Sequence, residues 1–325
     1  MTVFRKCRLI CPVREGFYRH KLSSMEQNIY DAMFQSATNA DAEAKVYFPE
    51  TGVSLQRICD AFRADQPWFW YIDRISALTG SSGSVRFTYY GSKTYIEQKT
   101  EAMDREVGWI IDTYRRSVRM PDDGKAAEFV HDCLADRCTY EDTGWKAHCI
   151  YGVFLERKAV CQGIAYAYKV ILNAMKTGCI SCIGVIRNHT GGHAWNMVLL
   201  KGRHYYVDVT SDLKDKDGNI SHKHALMSEK NLRSYCITSS DYSTGITGEA
   251  DNWFMRNGLH ICSTSSLKAA CRKYRRKVLE CELDYVPVHP DDYFEQIVRD
   301  TAGNISYRWA FDERSGYLFL DLTGA

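Results

Sequence analysis

The chain has 325 residues, 45% of them hydrophobic and 13% aromatic, enough for one large domain or two ordinary ones. Its 42 basic and 40 acidic residues leave a net charge of +2, which excludes a global field drawing it to nucleic acid or an anionic membrane. No apolar run approaches the roughly 18 residues of a spanning helix.

The opening "MTVFRKCRLICPVREGFYRHK" lacks the apolar stretch of a secretory signal, so a cytoplasmic location is expected unless a leader has been removed. The thirteen cysteines are odd in number and scattered through apolar stretches, a pattern of free thiols in a reducing compartment. Residues 1–120 read as a mainly helical region. Within "EAMDREVGWIIDTYRRSV", Met103, Val107, Ile110, Ile111, Tyr114 and Val118 recur at helical spacing, and "VRFTYY" after "TGSSGS" is a short strand.

Residues 121–250 form the expected core. Pro121, Asp122 and Asp123 mark the start of a helix with Ala126, Phe129, Val130, Cys133 and Leu134 as its stripe, and His131 and Asp132 are assigned packing or surface roles. A second helix runs from Cys161 to about Lys176, with Ile164, Tyr168, Ile171, Leu172 and Met175 on one face. Three strands follow, "CISCIGVI", "HAWNMVLL" and "RHYYVDVT", the last two joined by a tight Lys201–Gly202 hairpin. "CISC" has zinc-knuckle spacing without a matching second pair and reads as strand cysteines. "LKDKDGNISHKH" imitates a calcium loop, but Leu213 and His224 occupy positions where acids belong, so it reads as an acidic turn. A polar stretch extends to about 250. Residues 251–325 then form an α+β extension, with helical segments near 264–280 and 290–301 and strands in "ISYRWAF" and "YLFLDL". The run "RKYRRK" reads as a solvated face. Helices followed by strands, without βα alternation, give an α+β fold.

Three residues carry chemistry. Cys161 falls in the first turn of its helix, where free N–H groups and the helix dipole favour a thiolate. Gly163 lowers helix stability, which suits a close approach by substrate or a packed neighbour. If Leu200 pairs with Arg203, Asp208 faces Trp195 and is the diagonal neighbour of His193 on one sheet face. A helix presenting Cys161 to that face completes a nucleophile, a base and an orienting carboxylate. The Cys161 N–H is the first oxyanion donor, Tyr140 and Gln162 are candidate side-chain donors, and Trp195 is placed to shield the ion pair. His148 and His189 are assigned to loops or the surface.

The stretches "AVCQGIAYAYKVILNAMKTG" and "GGHAWNMVLLKGRHYYVDVTSD" resemble the core of the transglutaminase-like superfamily, which shares the papain-like arrangement. The segments "KAAEFVHDCLADRCTYE" and "HKHALMSEKNL" resemble the flanks of its bacterial members. The resemblance implies Cys161 as nucleophile, His193 as general base and acid, Asp208 as the group that orients it, and a helix packed on an antiparallel sheet. It implies acyl transfer on peptide or protein amides, with no cofactor and no metal. Hydrolysis is the favoured outcome; amine crosslinking, or a binding module that keeps the fold without turnover, are the alternatives. One departure is Ser211, where bacterial members often carry an aromatic residue. It is expected to alter packing beside the site rather than its chemistry.

Overall fold

The site rests on a four-stranded antiparallel sheet, and one of its two inner strands begins at His193. The computed structural model describes residues 2–47, 52–78, 83–238 and 247–324. The N-terminal region folds as α1 (Ser24–Asn39), β1 (Glu43–Lys45), α2 (Leu55–Asp65), β2 (Ile72–Leu78), β3 (Ser84–Tyr89) and α3 (Lys93–Ser117). The strands pair in the order β1-β3-β2. Of these, the sequence pattern revealed only β3, because β1 is three residues long and β2, "IDRISAL", is exposed or half-buried throughout. Four residues of the "TGSSGS" loop, 79–82, lie outside the described residues, as do 239–246 of the polar stretch.

The central part comprises α4 (Asp123–Arg137), β4 (Thr139–Tyr140), β5 (Lys158–Ala159), α5 (Cys161–Ala174), β6 (Cys179–Ile186), β7 (His193–Leu200), β8 (Arg203–Val207), α6 (Glu229–Tyr235) and β9 (Cys236–Thr238). Asp122 caps α4 by accepting the Lys125 N–H at 2.7 Å. The main sheet runs β8-β7-β6-β9. Its β7–β8 hairpin pairs Leu200 with Arg203 and Asn196 with Val207. Lys201 and Gly202 both have positive φ, 50° and 77°, as a two-residue turn matched to sheet twist demands.

Each face of this sheet has its own packing. Val198 and Leu200 point into the large core shared with α5, α4 and the N-terminal helices, while Trp195, Met197, Cys182 and Tyr206 pack with Leu232 and Cys236 on the other side. The two cysteines of "CISC" divide between these cores, Cys179 in the first and Cys182 in the second, as strand alternation requires. α5 is buried around its whole circumference from Gly163 to Leu172, rather than along one face. Its one charged residue in that stretch, Lys169, donates to the Ala64 and Asp65 carbonyls at the C-terminal end of α2, 2.6 and 3.0 Å away. That contact ties the N-terminal region to the helix bearing Cys161.

The C-terminal part consists of α7 (Trp253–Arg256), β10 (His260–Ile261), α8 (Thr264–Lys273), β11 (Val278–Leu283), α9 (Pro290–Ala302), β12 (Arg308–Asp312) and β13 (Tyr317–Asp321). Its sheet, β10-β11-β13-β12, and helices α8 and α9 enclose a separate core. Here the expected helix near 264–280 is corrected: α8 stops at Lys273, and 278–283 is a strand. The alternation in "LECEL" explains it, since Leu279, Cys281 and Leu283 enter the core while Glu280 and Glu282 face the rest of the molecule. The charged residues of "RKYRRK" are exposed.

Asn196 fastens α5 to the sheet. Its buried amide donates to the Ala165 carbonyl at 2.9 Å and to the Ile180 carbonyl at 3.2 Å. Asn196→Ala removes both bonds and leaves a void, so the urea unfolding midpoint should fall by an amount equivalent to about 1–3 kcal/mol.

Candidate active site

Cys161 is the first residue of α5, and Val160 before it offers no capping side chain. The first-turn N–H groups are therefore open to another acceptor, and the thiol takes that place: Sγ receives the Gln162 N–H, the Ala194 N–H and a hydrogen bond from the His193 ring. α5 does not lie over the sheet face that bears His193 and Trp195. It covers the opposite face, through Asn196 and Val198, and its N-terminal tip meets His193 at the first residue of β7.

The imidazole is held from its far side. His193 Nε2 lies 2.6 Å from Asp208 Oδ2, which leaves Nδ1 to the sulfur. Asp208 immediately follows β8 and caps the 3-10 turn Val209–Asp212. It is 1% exposed, and its carboxylate also accepts from Tyr235 Oη at 2.7 Å, Ser211 Oγ at 3.0 Å and the Ser211 N–H at 3.3 Å. Trp195 stacks beside His193, with ring centroids 6.1 Å apart and planes at 25°, and covers the ring on its inner side. Gly184 makes room for that indole: a Cβ there would sit 2.4 Å from the Trp195 ring and 2.4 Å from the Ile237 carbonyl.

Electrostatics separate Cys161 from the other thiols. Burial raises the pKa of the Cys161 thiol, but the hydrogen bond and charge of His193 and the two backbone N–H groups outweigh it, so the net shift is downward. Every other cysteine of the thirteen is shifted upward, by burial in all but Cys262, where Asp284 is the leading cause. Burial pulls His193 down, and its hydrogen bonds to Asp208 and Cys161 raise it to about 10. Burial raises Asp208, and His193, His224 and Tyr235 bring it below its ordinary value. The arrangement shifts the sulfur toward a thiolate and the ring toward an imidazolium, with a carboxylate behind them.

Tyr140 stands next to this pair because β4 runs parallel to β5, pairing Tyr140 with Ala159 two residues ahead of Cys161. The Cys161 N–H donates to its hydroxyl, and the side chain is otherwise exposed. Gln162 is turned elsewhere, donating to Tyr166 Oη at 3.0 Å. Gln162 and Tyr166 line a cavity of about 300 Å³ with Trp70, Tyr90, Trp145 and Cys149, and Tyr140 stands outside it. The close approach expected at Gly163 is by a packed neighbour: a Cβ would lie 2.4 Å from the Ala147 carbonyl. His148 and His189 are exposed.

Two expectations need correction. Ser211 donates directly to Asp208 Oδ2 at 3.0 Å, so its departure from an aromatic residue reaches beyond packing. His131 and Asp132 belong to a polar network, with His131 buried and Asp132 at its edge, rather than to ordinary packing or surface. His131 bonds Asp132 and Asp212, and Asp212 accepts from the His224 N–H and contacts its ring. The sequence reading also missed Tyr235, which arrives from α6 with no local pattern to announce it. The loop 213–224 is the acidic turn expected, with Asp215 accepting from the Asp217 and Asn219 N–H groups.

Fold and site together define an α+β protein with a helix-tip thiol, a strand-borne imidazole and a buried carboxylate. No protein-family model and no curated protein matches the chain. Among solved structures it is similar to a TGase, at 13% identity and a TM-score of 0.31, over 56% of this chain and 53% of that one. It is also similar to a provisionally named cysteine protease from Cytophaga hutchinsonii (10% identity, TM-score 0.30, 45% of this chain and 64% of the other). A third similarity is to a provisionally named protease from Parabacteroides distasonis (10%, 0.29, 68% and 48%). The chain thus spans about half the length of the TGase it matches. In the described residues no helix is long and apolar enough to cross a membrane.

At neutral pH, iodoacetamide should label Cys161 ahead of the other twelve thiols, as peptide mass mapping of the labelled protein would record. Reactivity should fall only when acid protonates the lowered thiol, and His193→Gln should move that inflection upward. The linked stability term has the opposite sense: the raised His193 stabilises the fold fully below its ordinary pKa, and that contribution is lost as pH climbs through about 10.

Proposed function

We propose that the protein is a cysteine-dependent acyl-transfer enzyme acting on peptide or protein amides, with hydrolysis as its main outcome. The single observation that carries this reading is the one lowered thiol among thirteen, in hydrogen-bond contact with an imidazole that is itself anchored to a buried carboxylate.

In the proposed reaction the Cys161 thiolate attacks the amide carbonyl carbon, and the carbonyl π electrons move to oxygen. The Cys161 N–H and the Tyr140 hydroxyl, already together at this point, receive that oxyanion. The imidazolium of His193 gives its proton to the leaving nitrogen as the C–N bond breaks, leaving a thioester. Neutral His193 then takes a proton from water, the new oxygen attacks the thioester, and the thiolate departs with the acid product. Asp208 keeps Nε2 protonated and the ring in place throughout. The cavity beside Gln162, lined by Trp70, Tyr90, Trp145 and Tyr166 together with Arg63, Gln66 and Asp73, suits an aromatic side chain of the acyl donor that carries a polar end. An amine in place of water would make the same thioester a crosslinking intermediate.

Profiling with a peptide library, with and without an added primary amine, tests the reading. Cys161→Ala should keep its melting temperature and lose turnover by roughly 10⁶-fold. Asp208→Asn should lose about 10⁴-fold, and Tyr140→Phe about 10²-fold in kcat with little change in KM. Turnover near wild type in Cys161→Ala would discard the proposal, and amine incorporation exceeding hydrolysis would reassign the acceptor.

A further inference from the structure

A second constellation centres on Asp132, with Asp212 bridging it to His224. His131 Nδ1 and His222 Nε2 converge on one oxygen, Asp132 Oδ1, at 2.9 and 3.2 Å. The outer nitrogen of each ring faces another carboxylate: His131 Nε2 lies 3.1 Å from Asp212 Oδ2, and His222 Nδ1 lies 2.9 Å from Glu280 Oε2. The three inner donor atoms all fall within 4.8 Å of one another.

As hydrogen bonds alone, these contacts require both rings to carry two protons, because all four ring nitrogens face carboxylate oxygens that only accept. Two imidazolium ions would then stand with centroids 5.6 Å apart, one of them 1% exposed. A single divalent cation supplies the same charge at the same point. It displaces the two inner protons to solvent, leaves both rings neutral, and keeps the outer N–H groups donating to Asp212 and Glu280. We propose that His131, Asp132 and His222 bind a zinc-type divalent ion, with Asp212 and Glu280 as the outer carboxylates and one position open to water.

The dimensions agree with this assignment. Ligands at about 2.0–2.2 Å in tetrahedral array stand about 3.4 Å apart, so the two contacts to Asp132 Oδ1, at 2.9 and 3.2 Å, need to widen by about 0.5 Å or less, and the two ring nitrogens, within 4.8 Å of each other, need to settle at the same separation. The Asp132 side chain, 48% exposed, has the freedom to do so and leaves an entry path. A carboxylate behind each ligating imidazole is the arrangement that fixes ring tautomer and raises ligand basicity. Trp253 stacks on His222 with centroids 4.1 Å apart and closes that side. Two imidazoles and a carboxylate suit zinc better than calcium or magnesium, which prefer oxygen alone. The ion would clasp α4, the loop before α6, and, through Glu280, the C-terminal sheet.

His260, Cys262 and Asp284 form a more exposed cluster able to compete for metal, and the reactive Cys161 is another competitor. The experiment therefore uses the full chain carrying Cys161→Ala and Cys262→Ser, stripped of metal and titrated with Zn²⁺ by calorimetry. One equivalent should bind. Adding Asp132→Asn and His222→Gln should weaken that event at least a hundredfold, with circular dichroism confirming the fold. Glu280→Gln alone should weaken it about 10- to 100-fold. Co²⁺ in the same site should give d–d bands without thiolate charge transfer, a readout that stands even if the multiple variant fails to fold. Absence of a bound equivalent, affinity unchanged in the Asp132 and His222 variant or in Glu280→Gln, or a thiolate band would each overturn the assignment.

Discussion

The site depends on one buried carboxylate. Asp208 is almost wholly out of water, and that position is tolerable only because its oxygens accept from an imidazole, a phenol, a hydroxyl and a backbone N–H. Those same contacts fix where His193 points. The ring in turn stabilises an anion on Cys161, against a burial effect that acts the other way. Remove the carboxylate and the order of charges along the line fails: the imidazole loses its anchor and the sulfur loses its cation. In the proposed reaction the chemistry is therefore set by a group that never needs to touch the substrate.

What brings these groups together is backbone regularity rather than a dedicated loop. The β7–β8 hairpin brings the start of β7, at His193, near the end of β8, just before Asp208, and the parallel pairing of β4 with β5 sets Tyr140 near Cys161. Gly163 and Gly184 act by absence, one letting α5 close on the 3-10 turn at Trp145–His148 and the other admitting the Trp195 ring. Lys169 adds a longer connection. By holding the end of α2, it makes the N-terminal region part of the support for the reactive helix.

The parts legible in the sequence were those written in local period or in register. The strand "HAWNMVLL", the two-residue turn after it and the pairing of Leu200 with Arg203 were enough to place His193 beside Asp208. The stripe of α3 was equally plain, with Met103, Val107, Ile110, Ile111 and Tyr114 all buried. Groups that reach the site through tertiary packing were not legible. Tyr235 comes from a short helix in a polar stretch, and nothing in its neighbours marks the phenol as a partner of Asp208. His131 looked like an ordinary helical residue because its partners, Asp212 and His222, lie some eighty and ninety positions away. The strand β11 was misread for a different reason: it follows a basic helix end closely, and its alternation spans only "LECEL".

That short alternation has a further consequence. One side of β11 is hydrocarbon for its own core, whereas the other carries Glu280 and Glu282 into contact with His222, Asn231, Asn252 and His260. The seam between the C-terminal part and the rest is consequently knit by polar pairs, with little grease to spare. A fragment cut ahead of Trp253 would trade the carboxylate partners of His222 and Asn231 for water, so the portion bearing the thiol should be less stable when expressed alone.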